Sequence, residues 1–457
     1  MEWLKVLPPL VAIIIVIWKK EVITALLLAI FVSEWILWDG DGIIAFYQGI
    51  LQTVERIVAV FGNPGNTRVL LFSLLIGALL AMMRKSGGVA ALVESLIKKG
   101  FTKTPRQVSL LTSITGVVVF IESNLSVLTA GILSRGLFDK FGLSRAKLAY
   151  IIDSTSAPVC ILILLNAWGA YVLALLNQYQ FSQSATSILW GTIPYNFYAL
   201  VTLAIVFYSS WSGKYFGPLA KSKVIHEDIS DKEKKQVGSH PSFMIVPILI
   251  LIGGMIAFMI WTGGGDIAQG NGSKSILYAT VFACIILYIM MVGRLNFSNK
   301  KIINIGFEGI SDLLPLVTIL LLSIALGSSL KALGTGLYIS QIVGSFLPLI
   351  LIAPMIFLVG AIISFSTGTS WGTFAILIPI AAPIIQMMHL PPSLIIAAVL
   401  GGGVFGDHCS PISDTTAVSA IASGCDLLEH VRTQLPYAIF TGIFSFFLYL
   451  IASMIII

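Results

Sequence analysis

Charge is the scarcest commodity in this sequence. Of 457 residues, only 11% are Asp, Glu, Lys or Arg and 57% are hydrophobic, whereas an ordinary soluble domain carries about 25% charged residues. With a mean hydropathy of +0.96, the composition excludes a soluble enzyme, a disordered chain and a secreted disulfide scaffold. Cysteine is scarce as well. Cys160, Cys284, Cys409 and Cys425 form no CxxC pair and no metal-ligand spacing, so they read as small buried hydrophobes. No Walker phosphate loop occurs, which argues against an ATP-driven pump. The Gly401–Gly403 run has no following Lys-Ser/Thr pair and reads as a place where helices approach closely. No nucleophile–base pair or metal set suggests an enzyme, and no cofactor is expected. In so apolar a chain the net charge of +6 reports membrane orientation rather than nucleic-acid binding.

What the chain does have is long apolar runs, roughly 4–18, 22–38, 68–83, 107–120, 125–138, 148–176, 187–211, 242–261, 275–293, 312–330, 338–364, 371–388, 393–424 and 433–457. At about 20 residues per span they amount to an all-α polytopic membrane protein. The run Val6–Trp18, followed by Lys19 and Lys20 without a small-residue cleavage site, reads as a retained first span. Residues 1–66 form N-terminal spans and an external loop with an amphipathic stretch, Ile43–Val60. Residues 212–241, containing HEDISDKEKKQ, read as a cytoplasmic linker between two halves. Residues 242–311 supply the spans before the second half.

Two stretches are too short per leg. The runs in 107–120 and 125–138 are about 21 Å of helix each, short of a hydrocarbon core of about 30 Å, and a polar knot, Glu122-Ser123-Asn124, separates them. Residues 355–388 behave alike around Ser364–Ser370. Treating 107–138 and 355–388 as re-entrant hairpins puts all Lys and Arg except Lys5, Arg56, Arg68, Lys274 and Lys331 on the cytoplasmic side. The positive-inside rule favours this arrangement in a cell inner membrane. Two short full spans would give the same parity.

The halves read as copies in opposite orientation. LLIGALLAMMRKSGGVAALVESL (74–96) parallels LLLSIALGSSLKALGTGLYISQIV (320–343). Each is followed by a hairpin and then by a span broken near its middle. Repeat 1 is 67–211, with hairpin 107–138 and broken helix 148–176. Repeat 2 is 312–457, with hairpin 355–388, broken helix 393–424 and a last span. Pro158 and Pro411 mark the breaks, because proline removes a backbone donor. Two inverted-topology repeats, each with a hairpin and a broken helix, are the plan of a secondary transporter.

Carboxylates at membrane depth are costly and mark function. Glu122, Asp153, Asp407 and Asp414 are the candidates for ion and proton coupling. Pro411 between Asp407 and Asp414 predicts a helix break rather than one shared face. Ser123, Asn124, Ser154, Thr155, Ser156, Thr367, Thr369, Ser370, Ser410, Ser413 and Thr415 add neutral oxygens, a set that suits a hard cation such as Na+. His408 is expected to hydrogen-bond beside the break, with proton carriage the alternative. Glu34 and Asp312 sit near span ends and read as interfacial. Trp168, Trp371 and Asn166 are candidates to line an organic pocket, although packing is the commoner role of tryptophan.

GGGVFGDHCSPISDTTAVSAIASGCDLLEHVRTQLPYA, beginning at Gly401, resembles the NhaC family of Na+/H+ antiporters. GDHCSPISDTT is its specific core, and TGTSWGTF at 367–374 adds to the likeness. The match is dense over about 365–437. The resemblance implies the ion-transporter superfamily, built from inverted repeats with re-entrant hairpins. It also implies that Asp407, Ser410, Asp414 and Thr415 lie at the ion site, with Thr367, Thr369 and Ser370 on the facing tip. A Na+ site at Asp407, Ser410, Asp414 and Thr369 follows, with His408 beside it. Glu122 and Asp153 come from the repeat alone. The expected function is exchange of Na+ for H+ by alternating access. The alternative is Na+-coupled transport of a small organic solute, an amino acid or a carboxylate, since look-alikes in the family include malate/lactate exchangers and amino-acid transporters. The lipid bilayer is the expected environment and a homodimer the expected assembly.

Overall fold

A computed structural model describes residues 2–38, 42–88, 91, 103–120, 123–164, 166–222, 239–265 and 270–457. All regular secondary structure among them is helical. In the first half the main helices are α1 (Leu7–Lys19), α2 (Val22–Leu37), α3 (Gly42–Val60), α4 (Pro64–Lys85), α5 (Pro105–Val118), α6 (Ser123–Lys140), α7 (Arg145–Ser154), α8 (Ala157–Cys160), α9 (Ala167–Leu176), α10 (Ala185–Gly191) and α11 (Phe197–Ser212). After a short helix, α12 (Gly217–Ala220), follow α13 (Ser242–Thr262), α14 (Gly272–Leu295), α15 (Asn299–Leu333), α16 (Thr335–Phe346), α17 (Ile352–Thr367), α18 (Ser370–Met387), α19 (Pro392–Cys409), α20 (Asp414–Ser423) and α21 (Leu427–Ile456). Among the described residues nine helices are long and apolar enough to cross a membrane, or ten if the pair bent by 43° around Asn196 counts as one more.

Local sequence sets many of the boundaries. The Thr104 hydroxyl accepts the Gln107 amide ahead of Pro105 at the start of α5, and the Ser144, Ser298, Ser413 and Asp426 side chains likewise cap α7, α15, α20 and α21. Such caps satisfy donors that the helix itself cannot. α15 is 35 residues long, about 52 Å, so it overruns any bilayer core. Its first turns are exposed, with ion pairs Arg84–Asp312 at 3.3 Å and Lys85–Glu308 at 3.4 Å.

The bundle is inside-out relative to a soluble one. On α21, Ile439, Phe440, Ile443, Phe444, Phe447 and Ile451 are exposed, while His430, Gln434, Tyr437, Thr441 and Ser445 are buried. An apolar exterior costs nothing where lipid replaces water. Close packing inside relies on glycine, as small residues do at membrane helix interfaces. α4 and α15 cross where a Cβ on either Gly77 or Gly309 would strike the other's backbone. α17 lies on α19 along Gly360, Gly402 and Gly406, where the Phe357 and Ala361 carbonyls leave no room for a Cβ. The close approach expected of the Gly401–Gly403 run is what Gly402 provides.

Three expectations change. The loop between 39 and 66 contains a full helix, α3, whose Gly49 packs on Trp35 and Phe31 of α2. The run 338–364 is two helices, because Pro348 interrupts it between α16 and α17. Glu34 is not interfacial. It is 4% exposed, paired with Arg56 at 2.7 Å and accepting the Ser329 hydroxyl at 2.6 Å. Both 107–138 and 355–388 fold as helical hairpins, α5–α6 and α17–α18. By length and composition the legs of the second qualify as spans and those of the first do not.

Replacing Gly402 with Val forces α17 and α19 apart. Overpacking of this kind costs about 1–3 kcal/mol, so thermal unfolding in detergent should move to lower temperature. An unchanged transition would show that the contact tolerates a side chain.

Candidate functional site

The second broken helix builds the centre of the site. α19 ends at Cys409, and α20 starts at Asp414 after the turn Ser410–Ser413. The expected interruption at Pro411 is therefore present, and the two carboxylates sit on opposite sides of it. The tip of the second hairpin lies against this turn. Gly368 closes α17 with φ +68°, a conformation that costs glycine little, and a Cβ there would come within 2.6 Å of the Ile412 carbonyl oxygen. Ser410 donates to the Phe365 carbonyl at 2.7 Å, tying turn to tip.

Asp407 is 2% exposed and Asp414 is open to the protein surface. The Ser370 hydroxyl donates to Asp407 Oδ2 at 2.6 Å, while Asp407 Oδ1 has no hydrogen-bond partner among the described residues. Asp414 Oδ1 accepts the Thr415 amide at 2.8 Å, and Oδ2 accepts the Asn124 carboxamide at 3.3 Å. Asn124 comes from the first hairpin, so both tips reach one site. Asp414 at a helix N-terminus is favoured by the unpaired N–H groups there. Asp407 in the last turn of α19 gains nothing comparable. Thr369, at the start of α18, makes no side-chain cap hydrogen bond.

The first broken helix builds a second cluster. Asp153 is 1% exposed, and its Oδ2 accepts Gln434 Nε2 at 2.6 Å and His430 Nε2 at 3.2 Å. Gln434 Nε2 also donates to the His408 carbonyl at 2.8 Å. The His408 ring meets the Tyr198 hydroxyl at 2.7 Å and the Ser154 hydroxyl at 3.3 Å, the hydrogen-bonding role expected of it. No group of three or more His, Cys, Asp or Glu able to hold a metal is found among the described residues. His430, Gln434 and Tyr198 escaped the sequence reading. The signal for two of them was present, since His430 and Gln434 are polar residues four apart and so share a helix face.

Other expected residues divide. Ser123 is buried at the start of α6. The Thr155 hydroxyl turns back to the Ile151 carbonyl at 2.7 Å, and its side chain fills the space against Gly116. Thr415 meets Ser413 at 3.0 Å, and the Thr367 hydroxyl reaches the Ser364 carbonyl at 3.4 Å. Ser156 donates to the Asp153 carbonyl at 2.8 Å. Glu122 lies outside the described residues. Trp168 and Trp371 meet at a tilt of 51° with centroids 4.9 Å apart, and Tyr171 meets Trp371 edge-on at 4.8 Å. They pack the core rather than line an open pocket.

Asn166 has a structural task. Its carboxamide donates to the Phe120 carbonyl at 3.0 Å and the Cys160 carbonyl at 2.8 Å, and its oxygen accepts the Gly169 amide at 3.1 Å. It thereby pins the first hairpin tip to the first break. A buried group left unpaired costs about 1–3 kcal/mol and a lost cap about 1 kcal/mol. Asn166→Ala should accordingly lower the unfolding temperature in detergent more than Asn177→Ala at the exposed end of α9. Equal shifts would count against the pin.

Comparison with known proteins agrees with this architecture. A sequence profile described as the Na+/H+ antiporter family matches residues 159–454. An uncharacterized protein of Haemophilus influenzae is 32% identical over 461 residues, 95% of this chain and 87% of its own length. The malate-2H+/Na+-lactate antiporter of Bacillus subtilis is 34% identical over 156 residues, 33% of this chain and 32% of that protein. The crystal structure of the YdaH transporter of Alcanivorax borkumensis superposes with a TM-score of 0.61 over 96% of this chain and 98% of that one, at 11% identity, a likeness of fold alone. The chain is a multi-span membrane protein and secondary transporter that belongs to the Na+/H+ antiporter family.

Proposed function

We propose that this transporter exchanges Na+ for H+ across the cytoplasmic membrane by alternating access, with Na+ bound at the second break. The observation that carries the reading is Asp407, buried, held through one oxygen by Ser370 and with its other oxygen unpartnered among the described residues. A buried carboxylate with an open oxygen invites a cation or a proton. Asp414, Ser410 and Thr369 are close by on the turn and the facing tip. All offer oxygen, the donor that hard cations prefer. Asp414 is the surface carboxylate through which the ion arrives, and Asp407 is the inner one.

The packing supports an inverted-repeat mechanism. α11 touches α5, α8 and α19, and α21 touches α17, α20 and α7, which are the counterparts in the other half. The second half of one broken helix, α20, packs on α6 and α7 of the first repeat, and α9 packs on α18 of the second. Moving the hairpins and broken helices against the α4–α15 scaffold would expose the site to each side in turn. The linker within 212–241 would then face the cytoplasm. A second reading rests on the relative named for malate and lactate exchange: Na+ at these carboxylates drives a small organic solute.

The test is proton flux in proteoliposomes holding a pH dye, driven by a Na+ gradient with no organic solute. Hydrogen bonds to charged groups are worth about 2 kcal/mol, so losing one carboxylate ligand should weaken Na+ binding roughly thirtyfold. Asp407→Asn and Asp414→Asn should therefore abolish flux at moderate Na+. If wild type binds Na+ but moves no protons, the exchange reading fails. Na+-driven uptake of carboxylates or amino acids would then be the assay to run.

A further inference from the structure

We propose that the exchanged proton is carried by the buried Asp153–His430 pair, a site separate from the Na+ carboxylates, with Gln434 as the positioning residue that links the two. The inference rests on the exchange reading above and assigns its proton.

The donor chemistry separates the two sites. Asp153 Oδ2 is occupied by two N–H groups, from Gln434 at 2.6 Å and His430 at 3.2 Å. Side-chain N–H groups cannot coordinate a cation, and they hold the lone pairs it would need. The surroundings of Asp407 are hydroxyls, which can rotate to present a lone pair instead. Asp153 thus suits a proton, and Asp407 suits Na+.

The pair has room for a proton. Because His430 Nε2 donates to Asp153, its hydrogen sits on Nε2 in the neutral ring, and Nδ1 keeps its lone pair. Among the described residues neither Nδ1 nor Asp153 Oδ1 has a hydrogen-bond partner. A proton can be added at either atom without breaking a hydrogen bond. His430 is 0% exposed, so the proton must reach it when the surrounding helices move. Other titratable groups facing Asp153 are His408 and Cys409 on α19 and Tyr198 on α11, while Tyr150 on its own helix faces Tyr198. Asp407 and Asp414 lie within electrostatic reach. No lysine or arginine is among these facing groups.

Gln434 supplies the connection. Its single Nε2 serves both Asp153 and the His408 carbonyl, and His408 follows Asp407 in the last turn of α19. Protonating Asp153 weakens its hold on that amide and so loosens the turn that positions the Na+ carboxylate. Na+ and H+ then oppose each other without sharing an atom.

The experiment is the Na+ dissociation constant of the purified full-length protein across pH 6 to 9. It is read by isothermal titration with NaCl, ionic strength being held with choline chloride. Wild type should lose affinity about tenfold per pH unit on the acid side, the slope of one competing proton. Asp153→Asn mimics the protonated carboxyl and should bind Na+ as weakly as acid wild type, with a flat profile. His430→Gln keeps a neutral donor to Asp153 and should move the profile's midpoint, and it carries the test if Asp153→Asn does not fold. Gln434→Leu releases the turn at every pH and should flatten the slope with Na+ affinity near the acid wild-type value. A full slope and unmoved midpoint in Asp153→Asn or His430→Gln would place the proton on Asp407 and Asp414 and overturn the inference, leaving exchange intact. A flat wild-type profile with Na+ bound would overturn both.

Discussion

A carboxylate inside an apolar bundle has to be answered by something. On insertion scales the bare cost is about 2.5–3.5 kcal/mol at a helix centre, and a partner, a proton or a cation must offset it. Much of this architecture follows from three such groups. Asp407 and Asp414 flank a turn where a helix stops, and Asp153 sits where another stops. A continuous α-helix saturates its own backbone and offers an ion nothing but side chains. Interrupting it frees carbonyls and N–H groups beside the carboxylates, which is tolerable only where protein surrounds the irregular backbone. The hairpins supply that surround, and their tips bring Ser370 and Asn124 to the two aspartates.

The glycines serve the same constraint from the packing side. Hairpin and broken helix must lie close enough for a tip hydroxyl to reach a carboxylate on the neighbouring element. Gly360, Gly402, Gly406 and Gly368 bring α17 and the turn after α19 to backbone contact. A bulkier residue at these points would shift Asp407 relative to Ser370 as well as strain the interface. Elsewhere Phe, Trp and Tyr fill much of the core.

The two buried aspartates sit in different environments. The oxygen-lined break and the N–H-lined pocket differ in what they can bind, and one amide, Gln434, touches both regions. Exchange requires that occupancy of one site be felt at the other. On the exchange proposed above, a hydrogen bond shared between Asp153 and the backbone beside Asp407 would be a direct means of doing so.

The sequence by itself determined the membrane class, the helical character, the break at Pro411 and the family, since these rest on composition, apolar run length and a contiguous motif. It also singled out Asp153, Asp407, Asp414 and Ser370, because ionisable and hydroxyl groups in apolar runs stand out without any partner in view. Only the tertiary structure decided which of them meet. Asn124 and Asp414 are far apart along the chain and come together through helix packing. So do Ser154 and His408, and Asp153 with His430 and Gln434. The same holds for Glu34, whose position near a helix end suggested the interface until Arg56 and Ser329 were seen to enclose it. Local sequence sets where a helix stops. Which polar groups then face one another depends on the angles at which distant helices cross, and those angles depend on side-chain shapes along whole interfaces.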